Sequence, residues 1–369
     1  MVAILLAGLI RVRFTFGNKA LAERSADMGQ QYRVEGGRQK RKFFVFFFLA
    51  VFWVLAAFRG ASVGNDTRDY IAFYEETQLW VSAHRNAFWK NLFISDAHFE
   101  LGYVVLCRLT ALLLGDVQWL FIIVTTFMMI VLYKWIVEDS LDPVMSVYLF
   151  IALRFLFFIM TGIRQAMAMF LCVLAYRYIK KRKLIPFLLM MLLATQFHIT
   201  SVVFLVAYPL SYFRFNKVSV FVTTIVGVVA FLLFDQLLSV VLAFLPEYYS
   251  NYEGSHWFAE NKLGNIINAA IQLVVLCVSL FSTYRFQSKG KKNEIFTKEY
   301  DASSFMQFMM LMSLLMSVIA LRATTLDRLS NYFWLFSIIY IPNVIQGIRR
   351  YTDRAILHGG AIIFTFLYN

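Results

Sequence analysis

The sequence predicts an all-α polytopic integral membrane protein, one membrane domain over residues 1–369 with roughly 10–11 transmembrane helices. Three observations predict it. Of the 369 residues, 60% are hydrophobic and only 15% charged, too apolar a balance for a domain surrounded by water. The mean hydropathy is +0.66, and 39 of the residues are Phe. The excess of 35 Lys+Arg over 22 Asp+Glu, a net charge of +13, is gathered in short runs beside apolar stretches, which marks topology rather than nucleic-acid binding.

Taken in order, residues 1–16 form a marginal first span that lacks the small-residue cleavage site of a signal peptide. Residues 19–42 carry Lys19, Arg24, Arg33, Arg38, Lys40, Arg41 and Lys42 and form a cytoplasmic basic arm. Residues 43–58 then cross outward to an outer-side loop, 59–100. Segments 101–115, 117–137, 143–160 and 164–179 lead to Lys180-Lys181-Arg182-Lys183, cytoplasmic by the same rule. Five apolar segments between two cytoplasmic runs violate parity, so 101–115, the shortest and interrupted by Arg108, is assigned as re-entrant or interfacial. Residues 184–197 and 199–213 make a hairpin, and 218–234 crosses out to a second outer-side loop, 235–262. Residues 263–283 return to a cytoplasmic loop, 284–303, with Lys289, Lys291 and Lys292. Segments 304–321, 329–346 and 355–368 complete the bundle. Cys107, Cys172 and Cys277 each stand alone in an apolar segment, which supports packing rather than a disulfide or a metal site.

A charge in hydrocarbon is expensive, so ionisable residues kept beside spans are functional candidates. On the outer side the map gathers Arg59, then Asp66 and Asp69 within Asn65-Asp66-Thr67-Arg68-Asp69-Tyr70, then Glu100, Arg164-Gln165, His198, Arg322, and Arg328 with Tyr332. Each has a plainer reading alone. Arg59 and Arg322 also fit snorkelling to headgroups, His198 a hydrogen-bonded structural histidine, and Asp66 and Asp69 helix caps. Arg108 and Arg154 lack polar company and read as structural. The convergence on one face decides for function: arginine forks bind phosphate bidentately without a metal, and a histidine or carboxylate takes the proton from an attacking hydroxyl. This describes a site for a lipid diphosphate and a polar acceptor.

The blocks Phe58-Arg59, Asp66-Thr67-Arg68-Asp69-Tyr70, Glu100-Leu101-Gly102-Tyr103, Arg164-Gln165-Ala166-Met167-Ala168, Ala194 to Ser201 around His198, and Arg328-Leu329-Ser330-Asn331-Tyr332-Phe333 follow in order. Over about residues 43–346 the chain thereby resembles the EpsG family, relatives of Wzy-type O-antigen polymerases. The family's first span is longer than the apolar stretch at 1–16. The resemblance implies a GT-C-like helical bundle in a bacterial inner membrane. It implies polymerisation of undecaprenyl-diphosphate-linked oligosaccharide repeat units into O-antigen, capsular or exopolysaccharide at the periplasmic face, by inverting transfer without a metal or other cofactor. The implied partners are the lipid-linked donor and acceptor and the bilayer, with a chain-length regulator and a flippase alongside. In that frame Arg59, Arg164, Arg322 and Arg328 hold the diphosphate, and the base is His198 or one of Asp66, Asp69 and Glu100. Gln165, Tyr70 and Tyr332 support them.

Other classes stay open at this level. Asn65-Asp66-Thr67-Arg68-Asp69 resembles the start of the NDxxD motif of intramembrane prenyltransferases, but a second aspartate-rich motif is missing apart from the pair Asp139 and Asp142. A membrane O-acyltransferase built on His198 leaves the arginines unexplained. A flippase or transporter of the lipid-linked sugar also wants arginines in a cavity, yet no repeat with matching broken helices is visible. A ligase that moves finished chains shares the same residues.

Overall fold

A computed structural model describes residues 27–96, 99–234, 236, 262–286, 299–322, 326–348 and 351–368. The expected span at 1–16, the start of the basic arm, nearly all of the loop 235–262 and most of the loop 284–303 lie outside the described residues. Among the described residues the fold is all-α with no strand, as the hydropathy demands.

Helix α1 (Asp27–Ala57) starts within the basic arm. Its positions 45, 49, 52 and 56 are buried at helical spacing while Phe43, Phe46 and Phe47 face outward, as in a helix between a bundle and lipid. A polar loop leads to α2 (Thr67–Ala83), which buries Tyr70, Tyr74 and Val81. Helix α3 (Leu101–Leu113) has 13 residues. At about 1.5 Å per residue it is about 20 Å long, short of the roughly 30 Å of a bilayer core. Helix α4 (Val117–Asp139) packs along α1, where Trp53 Nε1 donates to Thr126 Oγ1 at 2.8 Å.

Helices α5 (Pro143–Ala152) and α6 (Phe155–Thr161) meet at a 54° bend, where Arg154 takes the left-handed conformation with φ 63°. Helix α7 (Ile163–Lys180) is buried on nearly every side, including Cys172, and forms the axis of the molecule. Helix α8 (Leu184–Thr195) packs along α7 and is followed by a turn at 196–198, a 3-10 segment (Ile199–Val206) and a short helical turn (Ala207–Leu210). Then come α9 (Lys217–Leu232), α10 (Lys262–Phe286) and α11 (Ala302–Ile319), the last started by Asp301, whose carboxylate accepts from the amides of Ser303 and Ser304. Helices α12 (Asp327–Trp334) and α13 (Ser337–Gln346) and then α14 (Tyr351–Tyr368) end the chain.

Among the described residues only three helices are by themselves long and apolar enough to cross a membrane: α4, residues 263–281 of α10, and α11; the bent α5–α6 pair makes a fourth. Breaks at Leu153-Arg154, at 196–198 and at Leu335-Phe336 divide apolar segments of the sequence into shorter helices. Cys107 and Cys172 are buried, whereas Cys277 faces outward on α10, against the expectation of packing.

Helix α7 also defines two ends. At its C-terminus Lys180 pairs with Asp139 at 2.7 Å and Arg177 with Glu138 at 2.9 Å. Arg182, at φ 55°, donates to Ser211 Oγ at 2.5 Å and Glu299 O at 3.0 Å. At its N-terminus stands Arg164, sixteen positions and so about 24 Å from Lys180.

Candidate active site

The N-terminus of α3 is clasped to the turn after α8. The amide of Gly102 donates to Gln196 O at 2.8 Å, and that of Tyr103 to the same oxygen at 3.3 Å. A β-carbon at Gly102 would lie 2.7 Å from Gln196 O, so only glycine permits the approach. Glu100, which caps α3, is thereby brought against the turn.

The Glu100 carboxylate accepts three hydrogen bonds: from Arg164 Nη1 at 2.5 Å, from His198 Nδ1 at 2.9 Å and from the amide of Ile199 at 3.1 Å. The three side chains are largely buried, at 12% exposure for Glu100, 18% for Arg164 and 17% for His198. Burial alone would raise the Glu100 carboxyl, but the His198 hydrogen bond and the Arg164 charge outweigh it and bring it down to about 2. His198 moves down from the usual imidazole value because burial disfavours its cation, Glu100 draws it partly back, and Arg164 and Arg328 oppose that. The two trends meet in one state at neutral pH: an ionised Glu100, paired with Arg164, accepts the Nδ1 proton of a neutral imidazole. Nε2 then carries the lone pair, and among the described residues it has no hydrogen-bond partner.

Aromatic groups wall this cluster. The Arg164 guanidinium lies 4.3 Å from the Phe99 ring centre, and Phe99 packs edge-on against Phe73 and Tyr103. Burial pushes the Tyr70 hydroxyl up, while the charge and hydrogen bond of Arg164 draw it partly back. Tyr332 OH and Thr200 Oγ1 are 3.0 Å apart, tying α12 to the segment after His198.

Gln165, one residue past Arg164, donates from Nε2 to Arg328 O at 2.6 Å and so fixes the first turn of α12 to α7. The Arg328 side chain is left 54% exposed, with Nη1 3.9 Å from Asp66 Oδ2. Arg328 also lines a cavity of about 490 Å³ between the α5–α6 bend, α10 and α12.

Of the residues singled out in the sequence, Glu100, Arg164, His198, Gln165, Arg328, Asp66, Tyr70 and Tyr332 thus assemble at the N-terminal end of α7. Arg59 is buried beneath them: Nη1 donates to Ala56 O at 2.6 Å, Nε to Thr67 Oγ1 at 3.4 Å, and the guanidinium lies 4.1 Å from the Phe121 ring centre. Burial lowers it to about 10, partly offset by Tyr103 and Tyr70. Asp69 is exposed, and its side chain makes no ion pair or hydrogen bond among the described residues. Arg322 lies over the Phe231 ring at 5.6 Å, away from the cavity wall. Arg108 is structural, as read: it donates to Leu92 O at 3.0 Å and Ile94 O at 2.6 Å and covers Trp80 at 3.9 Å.

Arg154, which reads as structural in the sequence, lines the cavity together with Asn268 and Gln272, which the sequence reading does not single out. A signal existed for the amides. Asn265, Asn268 and Gln272 recur at helical spacing within an otherwise apolar α10, a polar stripe that lipid would not tolerate.

The chain matches the family model described as the EpsG family over residues 42–369, beginning where the basic arm ends. No curated protein and no solved structure matches it. With nearly the whole described bundle inside that match, the chain belongs to the EpsG family, a Wzy-like family of polysaccharide polymerases.

Proposed function

We propose that this protein is a membrane glycosyltransferase that joins oligosaccharide repeat units carried on undecaprenyl diphosphate, at the periplasmic face of a bacterial inner membrane. The observation that carries the reading is the Glu100 carboxylate held between Arg164 and His198. A buried carboxylate accepting from Nδ1 fixes the tautomer and orientation of an imidazole and leaves Nε2 as a base.

In the proposed reaction His198 Nε2 takes the proton of an acceptor sugar hydroxyl. The hydroxyl oxygen attacks the anomeric carbon of the donor, the bond from that carbon to the diphosphate oxygen breaks, and the diphosphate leaves with the electron pair. A single displacement inverts the anomeric centre. Arg328, exposed and beside the cavity, is the cation placed to meet the charge that develops on the leaving group. Arg164 acts through Glu100 as a positioning residue. Because arginine forks supply positive charge at the diphosphate, the proposed chemistry needs no metal. The periplasmic assignment rests on the basic run at the opposite end of α7.

Deletion of the gene followed by inspection of surface glycans tests the reading. Single repeat units on the acceptor, restored to polymer by the wild-type protein and not by His198→Ala, is the expected result. Accumulated finished polymer would mean a ligase instead. Polymer of normal length in the deletion strain would sink both.

A further inference from the structure

The cavity beside Arg328 holds features that the proton-transfer cluster does not use. Arg154 lines it from the bend between α5 and α6, held at φ 63° although it is not glycine, a left-handed conformation that ordinary side chains rarely adopt. Gln272 lines it from α10. This side chain is only 3% exposed, and its Oε1 accepts no hydrogen bond among the described residues. A buried amide oxygen left unsatisfied is rare and calls for a donor from outside the chain. Asn331 adds a further side-chain amide, and Asp327 is present with its carboxylate already accepting from Asn268 Nδ2 at 2.9 Å. Trp334 and Phe158 supply apolar wall. Two arginines, an orphan acceptor, amides and aromatic surface in one cavity fit a ligand with a diphosphate at one end and hydroxyl donors on a ring at the other.

We infer that the cavity between the α5–α6 bend, α10 and α12 is the donor subsite, binding a polyprenyl diphosphate-linked sugar with its diphosphate between Arg154 and Arg328 and a sugar hydroxyl donating to Gln272 Oε1. The assignment rests on the glycosyl-transfer reading and names its donor pocket. It also gives the strained turn a purpose, since the left-handed backbone at Arg154 turns the chain between two helices where the cation is needed. Arg328 belongs both to the cavity wall and to the charges acting on His198, so leaving group and base meet at that residue.

The left-handed turn supplies a clean variant. Arg154→Gly removes the guanidinium while suiting the positive φ better than arginine does, so the fold should not suffer. The purified full-length protein in detergent is titrated with farnesyl diphosphate, following Trp fluorescence. Wild type should bind it, and Arg154→Gly should bind it about tenfold or more weakly. Gln272→Leu keeps the volume and removes the orphan acceptor, so it should bind farnesyl diphosphate like wild type yet lose polymer in cells at unchanged protein level. No binding by wild type, or equal binding by Arg154→Gly, overturns the diphosphate assignment. Normal polymer from Gln272→Leu overturns the sugar assignment. Failure of the transfer reading looks different: His198→Ala would still polymerise while the farnesyl diphosphate titrations stay as expected.

Discussion

Glu100 accepts a hydrogen bond from His198 Nδ1 at 2.9 Å on one oxygen and from Arg164 at 2.5 Å on the other, so one carboxylate both aims the imidazole and neutralises the arginine. Glu100→Gln should undo both tasks. The amide keeps one acceptor oxygen, leaves Arg164 without its counter-charge, and permits the ring to rotate. Breaking a buried pair by removing one partner costs about 3–5 kcal/mol, less where water reaches the pair. Polymer formation should drop about 10²–10⁴-fold. Near-normal polymer from this variant would reduce the triad to a structural tie.

The pH dependence of polymerisation in membrane vesicles follows from the same three residues. His198 works as a base only when neutral. Burial lowers its pKa, so activity should be full at pH 7 and fall as pH drops through a value below the ordinary imidazole 6.5. Glu100 acts in a separate window. Its folded pKa is depressed to about 2 from the ordinary 4.5, so its contribution to stability is complete above about 4.5 and lost as pH falls toward 2. An acid limb displaced below the ordinary imidazole value, with the fold intact, thus belongs to the imidazole. A limb near about 4 would hand the role of base to a carboxylate.

Gly102→Ala probes the clasp. The added β-carbon would sit 2.7 Å from Gln196 O, against backbone that has no flexible end to yield. Overpacking of this kind costs about 1–3 kcal/mol. The start of α3 must shift, carrying Glu100 away from His198. Polymer should fall by about tenfold or more with protein still inserted, because a displacement of about 1 Å suffices to spoil catalytic geometry. Unchanged polymer length and yield would show that the Glu100–His198 distance tolerates the shift.

Membrane character was legible in composition, and so were most residues of the candidate site, because polar groups beside apolar runs stand out. Glu100, Arg164, His198 and Arg328 were all visible for that reason. Their pairing was not. That Glu100 reaches His198 depends on a 98-residue separation closed by the Gly102–Gln196 clasp, a contact with no local periodicity. Helix lengths were misjudged where single residues interrupt apolar runs, as Arg154 does between α5 and α6. Arg154 itself read as structural because its polar company, Asn268, Gln272 and Arg328, comes from more than a hundred residues away.

The two arginines on α7 and α12 should respond differently to lysine. Arg328 is 54% exposed and its task is to meet a diphosphate, so Arg328→Lys keeps charge but loses the planar fork. Polymer should fall about tenfold, and raising the lipid-linked substrate in a vesicle assay should restore part of it. Arg164→Lys cannot both reach Glu100 and cover the Phe99 ring, so it should lower the maximal rate without rescue by substrate. Identical behaviour of the two variants would erase the distinction between holding the ligand and positioning the base.

Every assignment of sides depends on α7, which separates Arg164 from Lys180 by about 24 Å. The native cysteines allow a direct measurement. Cys107 and Cys172 are buried and should stay silent, whereas Cys277 is exposed and is first changed to Ser. Single cysteines at Asn65 and Trp89, both exposed and in the loop that carries Asp66, should react in intact cells with a membrane-impermeant thiol reagent. Cysteines at Lys181 and Lys183, exposed at the opposite end, should react only after permeabilisation. The proposed topology puts the four consecutive cations Lys180, Lys181, Arg182 and Lys183 on the cytoplasmic side, with Lys180 reaching Asp139 and Arg182 reaching Ser211 at that end. Labelling of Lys181→Cys from outside would put the Glu100–His198 pair in the cytoplasm, where a periplasmic polymerase has no acceptor to extend.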